Sequence, residues 1–233
     1  MSRHPRAGNG RPGTCAGIAR QRGVNLISLM VGTLLSVIGI LAMLTLYRNL
    51  VQTAVVATQD ANQDGQLAAG LLTAQLELQN AGFGIDPGGA QNLLKTDVSL
   101  GGQSHPALLW RYRDATGYQC RGLVDRADQD AVTGKALRRL SLLEASGCGA
   151  GLGGLSWSVR HELARLQVPD DQQAAPQPLV DFTVAAVDCA PFGFGAKARH
   201  PQVTLTAQSS AQLAGASGIA PLSYSLCLSN IAE

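Results

Sequence analysis

The hydrophobic pattern begins with an uninterrupted block. From Val24 to Tyr47, 24 residues carry no charged side chain and 17 of them are apolar. A helix needs about 20 such residues to cross a hydrocarbon core of about 30 Å, so this block is long enough to span a bilayer. A buried helix of a soluble protein is the alternative, but such a helix normally keeps a polar stripe over this length. Further along, Leu67, Leu71, Ala74, Leu78 and Ala81 recur at spacings of four and three, which predicts an amphipathic helix packed on a sheet. One helix from about Leu26 to Ala81 is expected, ended by Gly82, Gly84 and the run Asp86–Gly89. Gly32, Gly39, Gly65 and Gly70 interrupt it. They are either points where it bends or, for Gly32 and Gly39, small residues for close helix contacts.

Past residue 85 the pattern shortens to strand-like runs between turn-rich linkers. The predicted strands are Ala107–Arg113, Tyr118–Asp125, Ala136–Leu143, Leu155–His161, Leu179–Val187, Val203–Gln208 and Leu222–Leu228. Trp110 with Tyr112, and Trp157 with Val159, show the two-residue alternation of half-buried strands. Asp125–Gly134, Gly147–Gly154, Pro169–Pro178, Ala190–Pro201 and Ser209–Pro221 read as breaks. The fold class is therefore α+β, a long N-terminal helix packed on an antiparallel sheet.

Charge orients the apolar block. Arg3, Arg6, Arg11, Arg20 and Arg22 are the only charged side chains before position 48, whereas thirteen basic and sixteen acidic residues follow. The positive-inside rule places residues 1–23 in the cytoplasm and the bulk of the chain across the membrane. The basic excess is confined to that short arm, so no nucleic-acid partner is indicated.

Cys120, Cys148, Cys189 and Cys227 form an even set in the translocated part, and an oxidising compartment pairs such cysteines. Three connectivities are open. Proximity along the chain favours Cys120–Cys148 and Cys189–Cys227. The cysteines lack the close pairs of a metal site.

The junction Arg20-Gln21-Arg22-Gly23 before Val24-Asn25-Leu26-Ile27-Ser28-Leu29-Met30 resembles the class III signal of type IV pilins and type II secretion pseudopilins. Leu46 to Ile85, closing on Asn80-Ala81-Gly82-Phe83-Gly84, looks like the PilW-type minor pilin. The resemblance implies cleavage between Gly23 and Val24 by a prepilin peptidase and N-methylation of Val24. It implies a leader at 1–23, a transmembrane and filament-core helix at 24–47, an amphipathic extension at 48–84 and an extracytoplasmic β-rich head at 85–233. The implied location is the bacterial inner membrane before assembly and the cell surface afterwards. Its partners would be membrane lipid first, then other major and minor pilins and the inner-membrane assembly platform. Where the family usually has glutamate, this chain has Ser28, which supplies no counter-charge to a neighbouring N-terminal amine. Either other contacts recruit the subunit, or it has no predecessor and starts the filament at its tip.

Other motifs carry little chemistry. Asp60-x-Asn62-x-Asp64-Gly65 matches half a calcium loop, but Leu71 stands where a bidentate glutamate is needed. Asp125, Asp128 and Asp130 are read as a solvated turn. Gly149-x-Gly151-x-x-Gly154 precedes a predicted strand rather than a helix, so it is not read as a dinucleotide fingerprint. His4, His105, His161 and His200 stand singly with no nucleophile elbow beside them, and each is read as a surface histidine. The reading is a structural subunit without catalytic residues, metal or cofactor. The alternatives are a minor pseudopilin of type II secretion and a membrane-anchored periplasmic binding protein or enzyme.

Overall fold

The computed structural model describes residues 25–86, 90–169, 172–190, 194–213, 215 and 217–231. Gly23, Val24, the arginine arm and residues 87–89 lie outside them. Two compact units divide between Thr53 and Ala54.

Helix α1 spans Leu26–Leu78, and its residues up to Thr53, with Asn25 before them, make up the described part of the first unit. Asn25 starts it: its carbonyl accepts the Leu29 amide, and its side-chain Oδ1 accepts the Ile27 amide at 3.4 Å. The hydroxyls inside the apolar block bond back within the helix, Thr33 to the Met30 carbonyl, Ser36 to Gly32 and Thr45 to Ala42. Those polar groups therefore need no water. Every side chain from Leu26 to Thr53 is exposed. The helix is long and apolar enough to cross a membrane.

In the second unit, five strands form an antiparallel meander: β1 (Leu93–Leu100), β2 (Gln103–Asp114), β3 (Gly117–Gln129), β4 (Ala136–Ala145) and β5 (Ser158–Gln167). A separate three-stranded meander follows, β6 (Val180–Cys189), β7 (Ala198–Ala207) and β8 (Leu222–Cys227), with a short helix α2 (Ser210–Leu213) between its last two strands. Leu67, Leu71, Ala74 and Leu78 of α1 share one core with Leu108, Trp110, Leu123, Leu140 and Leu166 of the larger sheet. Phe182, Val203, Leu205 and Leu228 of the smaller sheet belong to the same core. At Gly70 the helix comes so close that an added Cβ would lie 3.1 Å from the Leu163 carbonyl oxygen. The expected fold class, a long helix packed on antiparallel sheet, is the observed one.

Several details differ from the sequence reading. The described residues form two sheets, not one. β1 was not among the predicted strands, because Lys95, Asp97 and Ser99 dilute its apolar positions and it is an edge strand. The two-residue alternation of half-buried strands fails in β2 and β3: Ala107–Arg111 and Cys120–Asp125 are continuously buried. The cause is a second core on the far side of the sheet, where the β4–β5 loop lays Cys148, Leu152 and Trp157 over Leu109, Val124 and Leu143. That loop also takes Leu155–Trp157 out of the expected strand, so β5 starts only at Ser158. The expected break at Asp125–Gly134 is shorter, since β3 continues to Gln129. The expected break at Ala190–Pro201 also shrinks, with β7 beginning at Ala198.

The helix exit is built from Gly82 and Gly84, at φ of 78° and 67°. There the chain turns alongside β2, with the Gly82 amide donating to the Arg111 carbonyl at 2.9 Å and the Arg113 amide to the Phe83 carbonyl at 2.8 Å. A Cβ at Gly82 would lie 2.6 Å from the Asn230 carbonyl oxygen, and one at Gly84 would collide with the Arg113 carbonyl. Both positions therefore require glycine for the chain to leave the helix against this strand.

Candidate functional site

The first candidate is the amino-terminal part of α1. Ser28 is exposed in its first turn, among Leu26, Ile27, Leu29 and Met30, which are each more than half exposed. A soluble domain rarely displays a contiguous apolar surface of this extent, and one that does marks contact with lipid or protein. Such a surface suits apolar surroundings.

The second candidate region is the covalent and polar framework of the sheets. Of the three connectivities open to the four cysteines, the structure joins Cys120 to Cys148 and Cys189 to Cys227. The first bond ties β3 to the β4–β5 loop, and the second ties the end of β6 to the end of β8. Arg111 reinforces the first. Its Nη1 donates to the Cys148 and Gly149 carbonyls at 2.7 and 2.8 Å, and its Nε donates to Asn92 Oδ1 at 2.9 Å. Arg111 and Arg113 both pack on the Tyr118 ring, 5.6 and 5.5 Å from its centroid.

The three aspartates read as one solvated turn are separated by the pleat and do different things. Asp125 is buried: it faces the core, takes Arg138 Nε at 2.9 Å and accepts the Leu179 and Val180 amides at 2.7 and 3.0 Å. Burial pushes its carboxyl above the ordinary carboxylate value, opposed by the Arg138 guanidinium and by those two amides. Asp128 lies on the opposite face of β3 and is shared by Arg126 and Arg139, while Asp130 pairs with Arg165 and caps the β3–β4 turn through the Val132 and Thr133 amides. Sequence reasoning missed Arg138 as the partner of Asp125; thirteen residues separate them, and only the β3–β4 hairpin brings them together.

The remaining motifs resolve into structural roles. Asp64 of the half calcium loop accepts the Ser210 amide and hydroxyl, both at 2.8 Å, at the start of α2. Gly149, Gly151 and Gly154 lie in the loop before β5 and open no helix. His200 Nδ1 lies 2.9 Å from the Ile231 carbonyl oxygen, and His161 is exposed on β5. His105 is buried beside Arg138 and Arg126, which sequence reasoning treated as a surface position. Among the described residues no group of three or more histidines, cysteines or carboxylates could hold a metal ion.

No protein-family model, no curated protein and no solved structure matches the chain.

Proposed function

We propose that the protein is a minor pilin, a structural subunit that starts or joins a type IV pilus. The observation that supports this most is one helix with two surfaces. Its residues up to Thr53 are exposed and carry no charge from Leu26 to Tyr47, whereas Leu67, Leu71, Ala74 and Leu78 are buried under antiparallel sheets. Before assembly the exposed apolar part would rest in lipid of the inner membrane, with the sheets in the periplasm. On assembly it would exchange lipid for the helices of other major and minor pilins at the assembly platform. Both disulfides suit an oxidising compartment.

Mass spectrometry of the mature N-terminus tests the reading. A methylated Val24, made by a prepilin peptidase, is the expected result; an intact Met1, or a start near Thr58 after conventional signal cleavage, would sink it. Recovery with pili rather than with a secretion apparatus would separate the pilin from the pseudopilin. The proposed tip role rests on Ser28. Ser28→Glu is expected to alter incorporation, tip placement or pilus number, and a variant unchanged in all three removes any positional role from Ser28.

A further inference from the structure

The face of the larger sheet that points away from α1 carries a cleft of ≈ 790 Å³. His105 of β2 and Arg126 and Asp128 of β3 line it. Gln103 borders it from the β1–β2 hairpin, and Trp157 borders it from the β4–β5 loop. The volume lies within the range of ligand pockets, about 300–1,000 Å³.

Its charges are already matched. Arg126 Nη1 lies 3.3 Å from Asp128 Oδ2, and Asp128 is also held by Arg139 at 2.6 Å. His105 is 8 % exposed, and its ring makes no hydrogen bond to another described residue. Burial first, then Arg138 and Arg126, hold its imidazole below 6.5, against a smaller opposing pull from Asp125. An anionic or cationic ligand would therefore meet no free counter-charge. A wholly apolar ligand would cover the Gln103 amide and the His105 ring without bonding them, at a desolvation cost. Both side chains donate and accept, as hydroxyl groups do. Trp157 is packed on the Leu152 cluster while still lining the cleft, so the indole is held in place and offers a flat apolar surface. A flat apolar surface beside groups that both donate and accept matches the two sides of a sugar ring, its C–H face and its hydroxyl edge.

We propose that this cleft binds a neutral saccharide, stacked on Trp157 and hydrogen-bonded by Gln103 and His105. The inference rests on the cleft alone and stands whether or not the chain enters a filament.

The test uses the full chain in a zwitterionic, sugar-free detergent, applied to an array of neutral, sialylated and sulphated glycans. The neutral glycan that binds most tightly is then titrated while tryptophan fluorescence is followed. Trp110 is fully buried, so the signal should belong to Trp157: it is expected to vanish in Trp157→Phe while array binding persists. Trp157→Ala is expected to weaken binding by about tenfold or more, the loss of one aromatic platform. Gln103→Ala, on an exposed side chain, should weaken it several-fold with an unchanged unfolding midpoint. That variant decides the matter if Trp157→Ala does not fold. Binding to no neutral glycan, binding confined to sialylated or sulphated glycans, or affinity unmoved by Gln103→Ala would each overturn the assignment.

Discussion

Arg138 and Asp125 form an ion pair sealed from water, with Nε 2.9 Å from Oδ1 and side chains only 6 % and 2 % exposed. The pair does more than neutralise itself. Asp125 Oδ2 accepts the Leu179 and Val180 amides, while Arg138 reaches the Asp125 and Pro176 carbonyls. One carboxylate thereby fastens β3 of the larger sheet to the first residues of the smaller one.

Removing either partner leaves a buried charge alone. Arg138→Ala and Asp125→Ala are each expected to destabilise the protein by about 3–5 kcal/mol in urea unfolding followed by Trp110 fluorescence. A paired apolar replacement, Asp125→Leu with Arg138→Met, should cost less than the two single losses combined. A loss below about 1 kcal/mol for Arg138→Ala would remove the pair from any part in joining the sheets.

His105 predicts a pH dependence of stability. Its folded pKa lies below 6.5, so the folded protein excludes a proton that the unfolded chain accepts. The contribution is complete above pH 6.5 and is lost as pH falls through the folded value, at no more than about 1.4 kcal/mol per pH unit for one group. Asp125, raised by burial, acts in the opposite sense, its share declining as pH rises from 3.8. Subtracting the unfolding profile of His105→Asn from that of the unaltered protein isolates the histidine. A flat difference between pH 7 and pH 5 would contradict its neutral burial.

The glycines at the helix exit differ from those in open hairpins. Gly82→Ala and Gly84→Ala combine a left-handed backbone with collision against the Asn230 or Arg113 carbonyl, and each is expected to cost about 2–4 kcal/mol. Gly101→Ala, at φ 59° with nothing near its Cβ, should cost only about 1–2 kcal/mol. Equal shifts of the urea midpoint at the three positions would show that strain alone, not close approach, demands glycine.

The two faces of α1 should respond differently to truncation. Leu71 is fully buried, and Leu71→Ala is expected to lose about 2–5 kcal/mol. Its neighbour Leu72 is 52 % exposed, and Leu72→Ala should stay within about 0.5 kcal/mol. Comparable losses at both sites would contradict the packing of this helix on the sheets.

The Cys120–Cys148 bond and Arg111 hold the same loop. Replacing both cysteines with serine should cost about 2–4 kcal/mol. Combined with Arg111→Ala, the loss should be non-additive, because the Cys148 and Gly149 carbonyls that Arg111 holds are freed once the loop detaches. Strict additivity in a double-mutant cycle would show that the two restraints act independently.

The elements most legible in the sequence rest on neighbours close along the chain. The run Val24–Tyr47 identifies a segment long enough for a bilayer, and the stripe Leu67–Ala81 identifies the face that becomes buried. Lys95, Asp97 and Ser99 concealed β1, because an edge strand needs few apolar residues and its pairing is supplied by β2. Trp110 and Tyr112 suggested a half-buried strand, but nothing near them in the chain announces that Leu152 and Trp157 will cover the other face.

Local pattern and composition therefore determined the helix, its apolar and amphipathic parts, the glycine exit and the α+β class, since each depends on spacing of a few residues. Tertiary structure alone decided that Asp125 is buried on Arg138, that Asp128 faces the other way, that there are two sheets rather than one, and that His105, Gln103 and Trp157 share a cleft. Those relationships arise from strand register and loop placement, which join residues far apart in the chain. Short-range periodicity carries no record of which distant side chain will arrive to satisfy a buried charge or cover an apolar face.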